Sequence, residues 1–147
     1  MRRALLLVTI GLLSVACSRG GSGDAADRAL PPDEAARVLI DRNWMDLWPT
    51  SKDQRLHVYR FTPSMGGGVY QDRTLFKGTF ELFTFEVDGD HLVIALPETE
   101  QRVRTRYRIE RVSGPDPFDL KLTLDDSPRG PDVYWGRSVE TGQLLGL

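Results

Sequence analysis

Cysteine is almost missing from this chain: Cys17 is the only one among 147 residues. No internal disulfide can form, so packing and hydrogen bonds must hold the fold alone. Histidine is nearly as scarce, with only His57 and His91. A zinc site needs three or four ligands from cysteine, histidine or carboxylate. Neither histidine has a third soft ligand near it in sequence, so both read as surface or strand-packing residues and no metal is expected. No Gly-x-Ser-x-Gly nucleophile elbow occurs. Gly66-Gly67-Gly68 lacks the lysine and the helix of a phosphate-cradling loop. It reads as a flexible hairpin loop, or as a mobile loop at the mouth of a barrel. No apolar run reaches the ~20 residues of a membrane-spanning helix. Cations are not in excess, with 19 Lys and Arg against 21 Asp and Glu and a net charge of −2, which argues against nucleic acid as a partner. No catalytic constellation remains, so the chain reads as a non-enzyme without a cofactor.

What is present begins at the N-terminus. Arg2 and Arg3 precede an uncharged apolar stretch, Ala4 to Leu13, and Ser14-Val15-Ala16 supplies small residues before Cys17. Positive, apolar and small-residue parts in that order are the layout of a secretory signal peptide, assigned to 1–16. The segment Leu13-Ser14-Val15-Ala16-Cys17 resembles the lipobox of bacterial lipoproteins, with Ser14 where leucine is usual. The resemblance implies cleavage before Cys17 and acylation of that cysteine, which would also remove its thiol from catalysis. Two or three acyl chains hold a protein firmly, since each buried CH₂ contributes ~0.8 kcal/mol. Ser18, rather than aspartate, then points to the outer membrane, with a periplasmic or surface-facing domain. Residues 17–30 are dominated by Gly, Ser, Asp and Ala, and Gly/Ser-rich segments behave as flexible tethers.

The remainder, 31–147, reads as a single β domain. Pro31-Pro32-Asp33-Glu34 is a helix start, and Ala36, Leu39, Ile40 and Trp44 recur at helical spacing, predicting a short helix near 33–42. From Asn43 the period becomes two. Strand candidates follow at 56–62, 78–87, 92–96, 101–112, 118–124 and 133–135, and Asp88-Gly89 is a hairpin turn. Strands at this spacing argue for an all-β barrel or sandwich. In 78–87, Phe80 and Leu82 lie on one parity and Phe83, Phe85 and Val87 on the other. Either both faces are covered or a bulge near Leu82 switches the parity; the bulge is the favoured expectation. The tail, 136–147, has little pattern.

Asn43-Trp44 after a short helix, Phe61, Gly78-Thr79-Phe80 and the hairpin Val87 to Leu92 together resemble the lipocalin-like (calycin) β-barrels over about 43–124, with Arg42 where that family carries glycine. The resemblance implies an antiparallel meander forming a small barrel or half-barrel behind one N-terminal helix. Such barrels fill their interior or hold one small ligand.

Two groups of residues are site candidates. Trp44, Tyr59, Tyr70, Phe83, Phe85 and Tyr107 could line a ligand cavity, although aromatics at strand spacing are first of all packing residues. Arg102, Arg104, Arg106 and Arg108 alternate along one strand and so share a face. Either acidic side chains on a neighbouring strand neutralise them, or the row is an anion-binding face for a headgroup, acidic polysaccharide or acidic protein. Glu81, Glu86, Asp88, Asp90 and Asp125-Asp126 need no catalytic role, since glycoside cleavage requires a fixed carboxylate separation that spacing cannot supply. The expected function is therefore that of a lipid-anchored cell-envelope binding module for a small apolar or anionic envelope ligand. The alternative is a structural or accessory lipoprotein that binds another envelope protein.

Overall fold

The computed structural model describes residues 29–139. The expected signal peptide, Cys17, most of the tether and the tail beyond 139 lie outside them. The described chain forms helix α1 (Pro32–Leu39) and eight strands: β1 (Asn43–Met45), β2 (Leu56–Thr62), β3 (Gly67–Arg73), β4 (Gly78–Asp88), β5 (His91–Leu96), β6 (Gln101–Arg111), β7 (Leu120–Leu124) and β8 (Val133–Gly136). Each strand pairs antiparallel with the next, and Met45 opposite Trp135 joins β1 to β8 in a closed barrel. A closed sheet has no free edge to invite pairing by another chain. No helix among the described residues is long and apolar enough to cross a membrane.

Helix α1 starts one residue before its predicted position and stops three earlier. Pro31 and Pro32 fit its start, where a missing N–H costs nothing, and Asp33 and Glu34 occupy the first turn. It ends because Ile40 turns extended and bridges to Phe61, while Asp41 takes a positive φ of 57°. Ala35 and Leu39, rather than Ala36, face the barrel. The Trp44 indole N–H donates to the Leu39 carbonyl at 2.9 Å, satisfying a group the helix end leaves open. The last two residues assigned to the tether are fixed as well: Ala29 bridges Glu110, and the Leu30 N–H donates to the Ile109 carbonyl at 2.8 Å.

The strand that spacing did not reveal is β3. Its Gly67 and Gly68 are not flexible loop residues. A Cβ on Gly67 would strike the Phe83 carbonyl oxygen, and one on Gly68 would lie 2.6 Å from the Arg60 carbonyl oxygen and against the Phe83 ring. Glycine is required there by the close approach of β2 and β4. Gly66, at φ +83°, supplies the left-handed residue before the strand.

No bulge interrupts β4. Its pairing with β3 runs in one register from Gly68 opposite Phe83 to Arg73 opposite Gly78, and its pairing with β5 runs from Thr84 opposite Ala95 to Asp88 opposite His91. Strict alternation therefore holds along the strand. Phe83 points inward with Phe85 beside it, and Phe80 and Leu82 stay on the outer wall. The parity conflict in the sequence marks an apolar outer surface, not a kink.

The interior is packed with rings and branched chains. Tyr59 meets Tyr70 at 4.9 Å, Tyr134 at 5.1 Å and Phe83 at 5.7 Å between centroids; Phe61 meets Phe83 at 5.4 Å and Phe85 at 5.1 Å. Tilted and edge-on rings at these separations suit the aromatic quadrupole. Trp44, Tyr59, Phe61, Leu92, Ile94, Ile109, Leu122, Leu124 and Tyr134 have no accessible surface at all, so no water-sized space adjoins them.

Candidate functional site

The six aromatics proposed for a cavity all belong to this core: Trp44, Tyr59, Tyr70, Phe83 and Tyr107 are buried and Phe85 is partly buried against them. The barrel brings them into one core, in which Tyr59, Tyr70, Phe83 and Phe85 are linked ring to ring. Burial pushes the Tyr70 hydroxyl up to about 12 and raises Tyr59, Tyr107 and Tyr134 above the ordinary phenol value. Those phenols stay neutral; the hydroxyls of Tyr59, Tyr70 and Tyr134 are hydrogen-bonded, and that of Tyr107 is buried without a partner among the described residues.

One end of the barrel is filled by α1. The segment Asp125 to Asp132, between β7 and β8, crosses the other. Its keystone is Arg129, whose carbonyl accepts from Tyr59 Oη at 3.2 Å, Tyr134 Oη at 3.1 Å and Ser127 Oγ at 2.7 Å. The Arg129 guanidinium binds Glu81 on β4 and donates to Thr99 Oγ1 at 3.2 Å and Gln101 Oε1 at 3.0 Å. Beside this cap, His57 Nδ1 and the Tyr70 hydroxyl share a hydrogen bond of 2.6 Å, and the His57 N–H is held by Asp46 Oδ1 at 2.8 Å. Asp72 lies 4.0 Å from His57 Nδ1 but is engaged by Arg55, whose hydrogen bond holds its carboxyl below the usual range. The cluster is a satisfied polar lid; among the described residues no three histidine, cysteine or carboxylate side chains converge as a metal site.

The four arginines do share the outer face of β6, as their alternation requires. Each already meets a carboxylate. Arg104 reaches Asp88 at 2.9 Å, Arg106 reaches Asp90 at 3.1 Å, Arg102 reaches Glu86 at 3.6 Å, and Arg108 lies 3.7 Å from Glu110 on its own strand. Arg102 and Arg104 span β5 diagonally, whereas Asp90 sits in the β4–β5 turn beside His91, the residue opposite Arg106: Arg104 is opposite Val93, and Val93 is opposite Glu86, yet the ion pair forms with Asp88. Short β5 side chains such as Ala95 and Val93 let the guanidinium groups pass over them. His91 sits in the same ladder, its Nδ1 at 2.6 Å from Asp90.

The wall with unanswered chemistry is the outer face of β3 and β4. Met65 is 85% exposed, Phe76 79%, Phe80 68% and Leu82 59%. Phe80 and Leu82 are two residues apart on β4, opposite Gln71 and Val69 of β3. A groove of about 280 Å³ lined by Met65, Val69, Leu82 and Pro97 lies at one end of this row, and one of about 190 Å³ lined by Phe76, Lys77 and Phe80 at the other. Single exposed apolar residues are ordinary, but a row of large ones marks a contact surface. Sequence reasoning missed Met65, Phe76, Phe80 and Leu82 as site residues. The conflicting parity of Phe80 and Leu82 was the available signal, and only the register converts it into exposure. Comparison of the chain with protein-family models, curated proteins and solved structures finds no match.

Proposed function

We propose that the protein is a lipid-anchored cell-envelope lipoprotein acting as a binding module, and that its contact surface is the outer β3–β4 wall rather than the barrel interior. The anchor is read from the leader and Cys17, and the outer-membrane placement from Ser18. One observation carries the choice of surface: Met65, Phe76, Phe80 and Leu82 stand in solvent while the axis of the barrel is filled. An apolar ligand therefore has a place to bind on the outer wall, whereas Trp44, Tyr59, Phe61 and Tyr134 on the axis are fully buried. The arginine row loses its motive as an anion site, because a neutralised ladder offers little field beyond its own pairs. The accessory reading, in which another envelope protein docks, uses the same wall.

Site-specific photo-crosslinking tests this. A benzophenone side chain replaces Phe80 in one full-length variant and Arg104 in another, both outward-facing positions. Adducts to an envelope component are expected from position 80 and not from position 104. Equal yields from the two walls would remove the reading.

A further inference from the structure

The apolar row ends in a turn with more cations than carboxylates around it. Thr74 to Lys77 reverses the chain between β3 and β4, with the Thr74 N–H donating to the Lys77 carbonyl at 2.7 Å. Arg73 clamps it from within, giving Nε to the Thr74 carbonyl at 2.9 Å and Nη2 to the Leu75 carbonyl at 2.7 Å. The Leu75 N–H reaches back to the Lys52 carbonyl at 3.4 Å. Leu75 and Phe76 are thus presented on a braced tip, not on a loose loop. Around it stand the cations Lys52, Arg55, Arg73 and Lys77 against the carboxylates Asp53 and Asp72. Arg55 takes Asp72. Lys52 and Lys77 have no carboxylate within 4.0 Å among the described residues.

The rim of the row separates two kinds of partner. Protein interfaces favour Phe and Met but are depleted in lysine. This row holds Met65, Phe76, Phe80 and Leu82, with Lys52 and Lys77 beside it. Apolar side chains above a lysine rim match a membrane interface, where rings and aliphatic chains enter the boundary and lysines are drawn to an anionic surface. The chain outside the described residues allows the approach. Residues 18–28 lie between Cys17 and Ala29, and at 3.3–3.6 Å per residue the chain can reach at most about 40 Å, which leaves an anchored barrel room to turn this wall toward the bilayer.

We propose that the β3–β4 wall is a second membrane contact: Phe76, Phe80 and Leu82 enter the interface of an anionic bilayer, and Lys52 and Lys77 meet its phosphates. This rests on the reading of that wall as the binding surface. The anchor supplies local concentration, so even a weak contact fixes the orientation of the barrel.

The test uses full-length protein carrying F76W, reconstituted into vesicles of phosphatidylcholine and phosphatidylglycerol, with brominated acyl chains in a parallel set. Fluorescence of the parent protein, which contains Trp44, Trp48 and Trp135, is subtracted. Brominated chains are expected to quench most of the added emission. K52E/K77E in the same background, or vesicles of phosphatidylcholine alone, should abolish most of that quenching. Equal emission from brominated and ordinary vesicles overturns the membrane contact. Crosslinking then separates the two levels: adducts at position 80 but not 104 leave the wall as a protein-binding surface, and equal adducts end both readings.

Discussion

Arg129 clasps Glu81 with two hydrogen bonds, Nε to Oε2 at 2.7 Å and Nη2 to Oε1 at 3.0 Å. The pair ties the β7–β8 segment to β4 over the end of the barrel opposite α1. Its side chains are 24% and 13% exposed, so solvent screens it only in part. R129A should lower unfolding free energy by about 2–3 kcal/mol, because Glu81 is left as an uncompensated, largely buried carboxylate. E81Q should cost less, since the amide still offers an acceptor and Arg129 keeps Thr99 and Gln101. Urea denaturation of the full chain checks the order.

All four tyrosines are held above the ordinary phenol value by burial, Tyr70 reaching about 12. The unfolded chain releases these protons near pH 10 while the folded one keeps them. Their contribution is therefore fully present below pH ~10 and is lost as pH rises above it, with a slope of up to about 1.4 kcal/mol per pH unit for Tyr59 and for Tyr134, and less for Tyr70 and Tyr107. Phenolate absorbance should appear only together with loss of the folded signal. Ionisation of two tyrosines near pH 10 in a folded barrel would contradict the packing described.

Gly68 and Gly66 should respond differently to alanine. At Gly68 the new methyl meets the Phe83 ring and the Arg60 carbonyl, an overpacking cost of about 2–3 kcal/mol. At Gly66 it enters open space but at φ +83°, costing about 1–2 kcal/mol. F83L in the G68A background should recover part of the loss and leave G66A unimproved. Thermal unfolding of the four variants decides it.

Phe61 and Phe80 are the same residue type on opposite sides of the wall. F61A should destabilise by about 3–5 kcal/mol, since the ring is fully buried. F80D should change stability by less than about 0.5 kcal/mol and yet reduce contact with the envelope component.

Much of this was legible because strand periodicity is a strong local signal. LHVYRFT is β2 residue for residue, the Asp88-Gly89 hairpin joins β4 to β5, and Val103, Thr105, Tyr107 and Ile109 all face inward on β6. Closure of the barrel follows from the alternation but depends on the single Met45–Trp135 pairing, which no local pattern announces. β3 was hidden because Gly67 and Gly68 carry no side chains to alternate; their necessity lies in Phe83, fifteen residues away from Gly68 in a partner strand. The arginine row was visible, but the neutralisation of Arg102 and Arg104 is diagonal across β5 and needs three strands in register. Glu81 stood out as a carboxylate, whereas its partner Arg129 sits in a turn whose sequence gives no sign that it crosses the barrel end.

Native mass spectrometry of the full-length protein, released from membranes in mild detergent, tests the filled interior most directly. Parent and F80D proteins are each weighed natively and after denaturation. A barrel whose interior is filled and whose binding surface is the outer wall gives no excess native mass in F80D. An excess that F80D retains and denaturation removes would place a ligand among the aromatic rings inside, and would contradict it.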